Sequence, residues 1–318
     1  MMRLQVTTIE ALTPSVRLIR LADPRGAMLP AFDAGSHIEL SFRVEGETVS
    51  RKYTLVSLPN DRRHYDIAVK RNDRGRGGSA FLHHRLSVGD ELEVCDPVNE
   101  FGVARDGRHH VLIAGGIGIT PMLGILSQLE ASNASFELHY AARTESEMAF
   151  RDRFSMHDRS KVALYFTQAG PSERMDVDRL LAVHREQTDT HVYVCGPARL
   201  IDGVRLAAEA FGIRKQRIHF ESFGPAWEPT DGSVRLAMTE SGIELDVAPG
   251  TPLLDAMEAA GAWIPSDCRR GECGACIAGY TGGKPIHRDN CLTVEQRAHS
   301  FCPCVSWAAS GEVLSLQL

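Results

Sequence analysis

A cysteine pattern near one end constrains this chain more than anything else in it. Cys268-Arg-Arg-Gly-Glu-Cys273-Gly-Ala-Cys276 reads C-x4-C-x2-C, with Cys291, Cys302 and Cys304 following, while Cys95 and Cys195 stand alone. Three thiols crowded into one loop suit metal ligation better than a disulfide framework. With a distant fourth cysteine, this is the plant-type [2Fe–2S] spacing. Each iron of such a cluster takes two bridging sulfides and two thiolates, so four cysteines complete it. Gly271 and Gly274 let backbone N–H groups turn toward the sulfurs, and Arg269 and Arg270 stand where they can offset the cluster's negative charge. Structural zinc, the alternative, usually takes two short C-x2-C pairs rather than an x4 loop. Spacing alone leaves the fourth ligand open among Cys291, Cys302 and Cys304.

So specialised a loop occupies only the end of the chain, and 318 residues leave room for two or three domains of roughly 100 residues each. To residue 103, HIELSF, SRKYTLVSL, YDIAVKR and DELEVCDP are short strands between turn signals, the texture of an antiparallel barrel. Over 104–225 strands alternate with helices: VLIAG with PMLGILSQLE, FELHYAA with EMAFRDRF, HVYVCG with ARLIDGVRLAAEAF. That rhythm predicts a parallel sheet wrapped by helices. Residues 226–233 form a linker, and 234–318 open with a β-hairpin (VRLAMTESGIELDVAPG) and a helix (LLDAMEAAG) before the cysteines. A net charge of −6 argues against nucleic acid as the main partner. Neither a secretory leader nor an apolar run of about 20 residues is expected to direct the chain to a membrane, so a cytoplasmic protein is expected.

Two glycine-bearing segments have the chemistry of anion sites. Arg74-Gly75-Arg76-Gly77-Gly78-Ser79 precedes the helical AFLHHRL, with Ser79 as its cap, so N–H groups there can receive a phosphate. Gly115-Gly116-Ile117-Gly118-Ile119-Thr120-Pro121 follows VLIAG. Its glycines let the backbone approach a pyrophosphate, with Thr120 and Pro121 as N-cap and first residue of the next helix. The spacing is not the Rossmann G-x-G-x-x-G. On a barrel strand, Arg51-Lys52-Tyr53-Thr54-Leu55 combines an arginine able to fork onto phosphate, an aromatic face and a hydroxyl. Arg143 can meet a ribose or phosphate, and no basic cluster for a 2′-phosphate accompanies it.

Taken together, these segments resemble the phthalate dioxygenase reductase and vanillate O-demethylase reductase family over essentially the whole chain. GTPLLDAMEAAG, CRRGECGAC, HRDNCLT and PCVSWAA carry the resemblance at the ferredoxin end. RKYTL, GRGGS, GGIGITPM and Val194-Cys195-Gly196-Pro197 carry it elsewhere. It implies a multidomain protein: an antiparallel β-barrel for a flavin (1–103), an α/β parallel-sheet nicotinamide domain (104–225), and an α+β, β-grasp ferredoxin domain (234–318). The flavin implied is FMN, contacted by Arg51, Lys52, Tyr53 and Thr54, its terminal phosphate in the loop of Arg76, Gly77, Gly78 and Ser79. Gly115, Gly116, Gly118, Thr120, Pro121, Arg143, Cys195, Gly196 and Pro197 are implied for NADH. Lys70 joins the cofactor contacts and Phe223 lies near the flavin. Thr54 and Cys195 stand closest to the chemistry. Cys268, Cys273, Cys276 and, through PCVS, Cys304 are the implied iron ligands. The partner implied is a separate Rieske-type oxygenase, and the reductase is expected to be a monomer.

These parts make chemical sense together. Nicotinamide gives two electrons as a hydride, the cluster accepts one, and a flavin converts between them. A flavin enzyme acting directly on a small molecule would need its own acid or base, and no residue constellation announces one. A zinc-holding binding module is disfavoured by the x4 loop.

Overall fold

Alternating apolar residues along the first hundred positions place one face of each strand inward and the other in solvent. The computed structural model describes residues 1–44, 46–73, 77–154, 161–170, 174–185, 189–223, 231–309 and 311–318. The first strands are β1 (Met2–Thr13), β2 (Val16–Ala22), β3 (Ser36–Val44), β4 (Glu47–Thr54), β5 (Tyr65–Lys70), β6 (Glu91–Val94) and β7 (Val98–Asn99), with α1 (Gly78–His84) after β5. They run β4-β3-β6-β1-β2-β5, with β7 on β3, and every pair is antiparallel. A bridge between Leu55 and Ile67 joins the two ends of that order and closes the barrel. Leu4, Ile19, Leu21, Ile38 and Leu40 fill it.

The next strands are β8 (His109–Gly115), β9 (Ser135–Ala142), β10 (Val162–Phe166), β11 (Thr190–Cys195) and β12 (Ile218–Glu221), with α2 (Ile119–Ala131), α3 (Val177–Ala182) and α4 (Ala198–Ala210). Their order is β10-β9-β8-β11-β12, all parallel. The chain leaves β8 on one side and returns to its other side at β11, so a topological switch point opens beyond Gly115 and Cys195. In open α/β sheets that crevice collects ligands. Barrel and sheet share one core: Val16, Val56, Ala68 and Phe101 pack with Leu112, Ala114, Ile119 and Leu123. Both belong to one unit, Met1–Glu221.

Two local expectations fail here. EMAFRDRF is not a helix but two 3-10 turns, Glu145–Glu147 and Arg151–Phe154. Phe150 between them has φ of 61°, a left-handed conformation that interrupts right-handed helical winding. The helix after β8 starts earlier than expected, because a 3-10 turn over Gly116–Gly118 leads directly into Ile119. Thr120 is therefore inside the first turn, where its Oγ1 donates to the Ile117 carbonyl at 3.0 Å instead of capping the helix.

The second unit, Ser222–Leu318, contains β13 (Val234–Met238), β14 (Ile243–Val247), β15 (Ala278–Gly282), β16 (Pro285–Ile286), β17 (Ser300–Phe301), β18 (Trp307–Ala308) and β19 (Val313–Leu316), with α5 (Leu253–Ala259) and α6 (Val294–Arg297). The sheet order is β14-β13-β19-β15-β17, with β13 parallel to β19 and a separate β16–β18 ribbon. Leu253, Leu254 and Met257 of α5 are buried against Leu236, Met238, Leu314 and Leu316. Among the described residues no helix is long and apolar enough to cross a membrane.

Candidate cofactor sites

Along β4 the strand period separates the RKYT side chains. Arg51 and Tyr53 lie on one face; Lys52 is exposed on the other, its Nζ 4.0 Å from Glu100 Oε1. Lys52 is therefore not brought to Arg51, contrary to its place among the expected contacts. Arg51 instead meets the glycine loop: a β-carbon on Gly78 would lie 3.0 Å from Arg51 Nε and 3.3 Å from its Cγ. Gly77, at φ of 74°, is the cap residue of α1. Ser79 is not: it sits within the first turn and its Oγ accepts the Asn72 N–H at 3.0 Å. Arg76 lies outside the described residues. Thr54, at the end of β4, is buried, and its hydroxyl makes no hydrogen bond among the described residues. An unpaired buried hydroxyl costs about 1–3 kcal/mol, so a polar group from outside the chain would be welcome there. Burial pushes the Tyr53 phenol well above its usual range, with the Arg51 charge opposing, so it stays neutral. An arginine on a glycine loop, a neutral aromatic and an orphan hydroxyl fit a flavin phosphate at one end and a polar ring edge at the other.

At the switch point three glycines permit close backbone packing. A β-carbon on Gly118 would lie 2.1 Å from the Cys195 carbonyl oxygen, and one on Gly115 would lie 2.7 Å from Pro197 Cδ. A β-carbon on Gly196 would lie 3.0 Å from the Gly115 backbone. These contacts bring Gly115 and Gly118 against Cys195, Gly196 and Pro197. Cys195 is fully buried at the end of β11. Pro121, with Thr120, lies in the buried first turn of α2. Lys70, from the barrel, reaches the same loop: its Nζ is 3.5 Å from where a Gly116 β-carbon would be. Desolvation and then the Arg143 charge lower the Lys70 ammonium, with Glu147 opposing. Two cations beside a glycine turn fit a pyrophosphate. Phe223 belongs to the second unit and is 37% exposed.

In the second unit the cysteine loop wraps its own sulfurs. The N–H groups of Arg270 and Cys273 donate to Cys268 Sγ, each at 3.4 Å, and Ala275 N–H donates to Cys273 Sγ at 3.4 Å. Cys276 Sγ and Cys304 Sγ are 3.2 Å apart, and Cys304 accepts the Gly271 N–H. Cys268 faces Cys273, and Cys276 faces both Cys304 and Cys302, so the loop gathers the thiols that two irons require, with the fourth place between Cys304 and Cys302. Cys302 lies 3.4 Å from Cys291, sulfur to sulfur. Gly271 has φ of 72°, and a β-carbon there would strike Val305 Cγ2 at 2.5 Å. Arg269 divides its charge between the cysteine loop, where Cys304 favours it, and the acidic residues of α5. Its backbone is left-handed (φ 53°), and its guanidinium pairs with Asp255 at 2.8 Å and Glu258 at 2.6 Å. What sequence reasoning missed is the support behind the loop. Asn290 N–H holds the Gly271 carbonyl at 2.8 Å, and buried Asp289 accepts the Leu292 N–H at 3.1 Å. HRDN therefore braces the cysteine loop.

Comparison with known proteins matches three successive stretches of the chain to known domain families. Residues 3–102 match an oxidoreductase FAD-binding domain family, 112–206 an oxidoreductase NAD-binding domain family, and 237–308 a 2Fe-2S iron-sulfur cluster binding domain family. Phthalate dioxygenase reductase from Burkholderia cepacia is 34% identical over 319 residues, covering 98% of this chain and 96% of that protein. The chain belongs to the phthalate dioxygenase reductase family. It is an oxidoreductase with a flavin barrel, a nicotinamide domain and a C-terminal [2Fe–2S] domain. A solved structure described as phthalate dioxygenase reductase, modular for electron transfer from pyridine nucleotides to [2Fe–2S], superposes with a TM-score of 0.77 at 33% identity, covering 100% of this chain and 98% of that one. The heme-dependent oxidative N-demethylase beta subunit of Ectopseudomonas mendocina is 37% identical over 310 residues, 98% of this chain and 97% of that protein.

Proposed function

We propose that this family member takes hydride from NADH onto FMN and passes single electrons through its [2Fe–2S] cluster to a separate Rieske-type oxygenase, working as a cytoplasmic monomer. The gathering of Cys268, Cys273, Cys276 and Cys304 carries the reading, because it supplies a one-electron terminus to a chain that begins with a two-electron donor. A bound flavin accepts electrons in pairs and releases them singly. Arg51 and the Gly77–Ser79 turn hold its terminal phosphate, which favours FMN. Thr54 turns its hydroxyl to the flavin ring in a site closed to water. Gly115, Gly116 and Gly118, with Lys70 and Arg143, hold the NADH pyrophosphate and adjacent ribose, while Cys195, Gly196 and Pro197 form the wall of the nicotinamide crevice. A second reading, with a haem-containing acceptor, is favoured by the 37% identity to the N-demethylase beta subunit.

The test is the absorption spectrum of the purified protein before and after anaerobic NADH, with mass analysis of the released flavin. Flavin bands over broad visible cluster absorption should both bleach, and the flavin mass should be that of FMN. Zinc without acid-labile sulfide would overturn the relay. Turnover with a Rieske oxygenase or a haem demethylase as acceptor then separates the two partner readings.

A further inference from the structure

Strand period places Glu137 and His139 on the same face of β9, and the parallel register brings His109 of β8 to that face through Ser135. His184, just after α3, reaches the same carboxylate. His184 Nε2 is 2.6 Å from Glu137 Oε1, His109 Nε2 is 4.0 Å from that oxygen, and His139 Nε2 is 3.6 Å from Oε2. The donor atoms of His109, Glu137 and His184 all lie within 4.8 Å of one another. We propose that His109, Glu137 and His184 form a binding site for one divalent transition-metal ion, zinc in the first instance, with His139 facing the second carboxylate oxygen.

Donor chemistry favours such an ion. Two imidazole nitrogens and one carboxylate suit zinc, whereas magnesium and calcium prefer oxygen alone. Bonds of about 2.0–2.1 Å in a tetrahedron put neighbouring donors roughly 3.4 Å apart, so small side-chain shifts suffice. The 4.0 Å and 3.6 Å separations exceed hydrogen-bond length; the 2.6 Å contact is a hydrogen bond that the ion would replace, releasing its proton to solvent. Ring orientation is already set from behind: His109 Nδ1 is 2.8 Å from Ser135 Oγ, and His139 Nδ1 is 2.9 Å from Tyr165 Oη. Outer-shell hydroxyls of this kind fix which nitrogen faces a metal. His139 Nε2 is buried and has no hydrogen-bond partner among the described residues.

Position indicates the role. His109 begins β8 and Gly115 ends it, so the site lies roughly 20 Å along the strand from the nicotinamide crevice. An ion there ties β8, β9 and the turn after α3 together without entering the electron path. The test uses tag-free holoprotein, treated with EDTA while visible absorption verifies that the cluster is intact, then titrated with Zn2+ against a chromophoric chelator. One equivalent should bind at micromolar Kd or tighter, with an X-ray absorption shell of nitrogen and oxygen at about 2.0–2.1 Å. His109→Gln and Glu137→Gln should each weaken binding at least about tenfold and abolish the Zn2+-dependent rise in Tm, with NADH–ferricyanide activity unchanged. A sulfur shell near 2.3 Å, millimolar binding, or affinity unaltered in His109→Gln would overturn the assignment; the absorption shell of the unsubstituted protein decides even if Glu137→Gln does not fold.

Discussion

His219 carries a second, separate imidazole cluster on the same sheet. Its Nε2 lies 2.9 Å from His191 Nδ1, and its ring stacks on Tyr193 with centroids 4.6 Å apart. Burial, reinforced by His191 and His110 and opposed by Asp106, pushes His219 down to about 4. An unfolded histidine titrates near 6.5, so between about 6.5 and 4 the unfolded chain binds the proton that the folded one refuses. Stability contributed by the neutral ring is complete above the unfolded value and is lost as pH falls through that window. The thermal midpoint should therefore drop between pH 7 and pH 5, and His219→Phe should flatten the drop. The contribution is on the order of 1–2 kcal/mol after allowing for solvent screening. Equal pH slopes in the two proteins would remove His219 as a cause. None of this was legible in the sequence, because three histidines on three strands become neighbours only through sheet order. Ser79 and Thr120 look like caps in sequence but are not, for a more local reason: Gly77 and Gly118 take the cap positions, leaving each hydroxyl inside the first turn.

Elements explain why some motifs are legible and others are not. The C-x4-C-x2-C loop carries three sulfurs within nine residues, so its geometry is nearly local. The glycines of Gly115–Gly118 are legible as a close approach, but what approaches is the end of β11, some 80 residues on. EMAFRDRF has helical composition and still fails, because Phe150 is held left-handed. The same reasoning makes a sharp prediction at Gly118, where a β-carbon has no room between strands. Gly118→Ala must push the turn off the Cys195 carbonyl, costing about 1–3 kcal/mol and raising KM for NADH several-fold in the ferricyanide assay. Gly203→Ala, inside α4 with nothing within 4 Å of the added carbon, should instead stabilise by roughly 0.5–1 kcal/mol and leave KM alone. If the two variants behaved alike, backbone packing at the switch point would not be what Gly118 provides.

At the scale of the molecule, residues proposed for hydride transfer and those proposed for the cluster fall in different units, with the boundary at Glu221. A flavin pocket built from Arg51, Thr54 and Gly78 has its own core, and so does the cysteine loop braced by Asp289 and Asn290. Damage to the proposed ligand set should therefore not propagate to the first unit. Cys273 is the informative position, being exposed and held by the Ala275 N–H rather than by core packing. Cys273→Ser should leave anaerobic reduction of the flavin by NADH, and ferricyanide reduction fed directly from it, close to the unsubstituted rates. Reduction of cytochrome c or of the oxygenase should fall to background, because a hard serine oxygen replaces a thiolate that the iron prefers. The order of loss is the argument: a linear relay cut at its last carrier keeps every earlier step. Loss of flavin reduction in a folded Cys273→Ser protein would mean that the cluster supports the first step as well, and the relay would have to be abandoned.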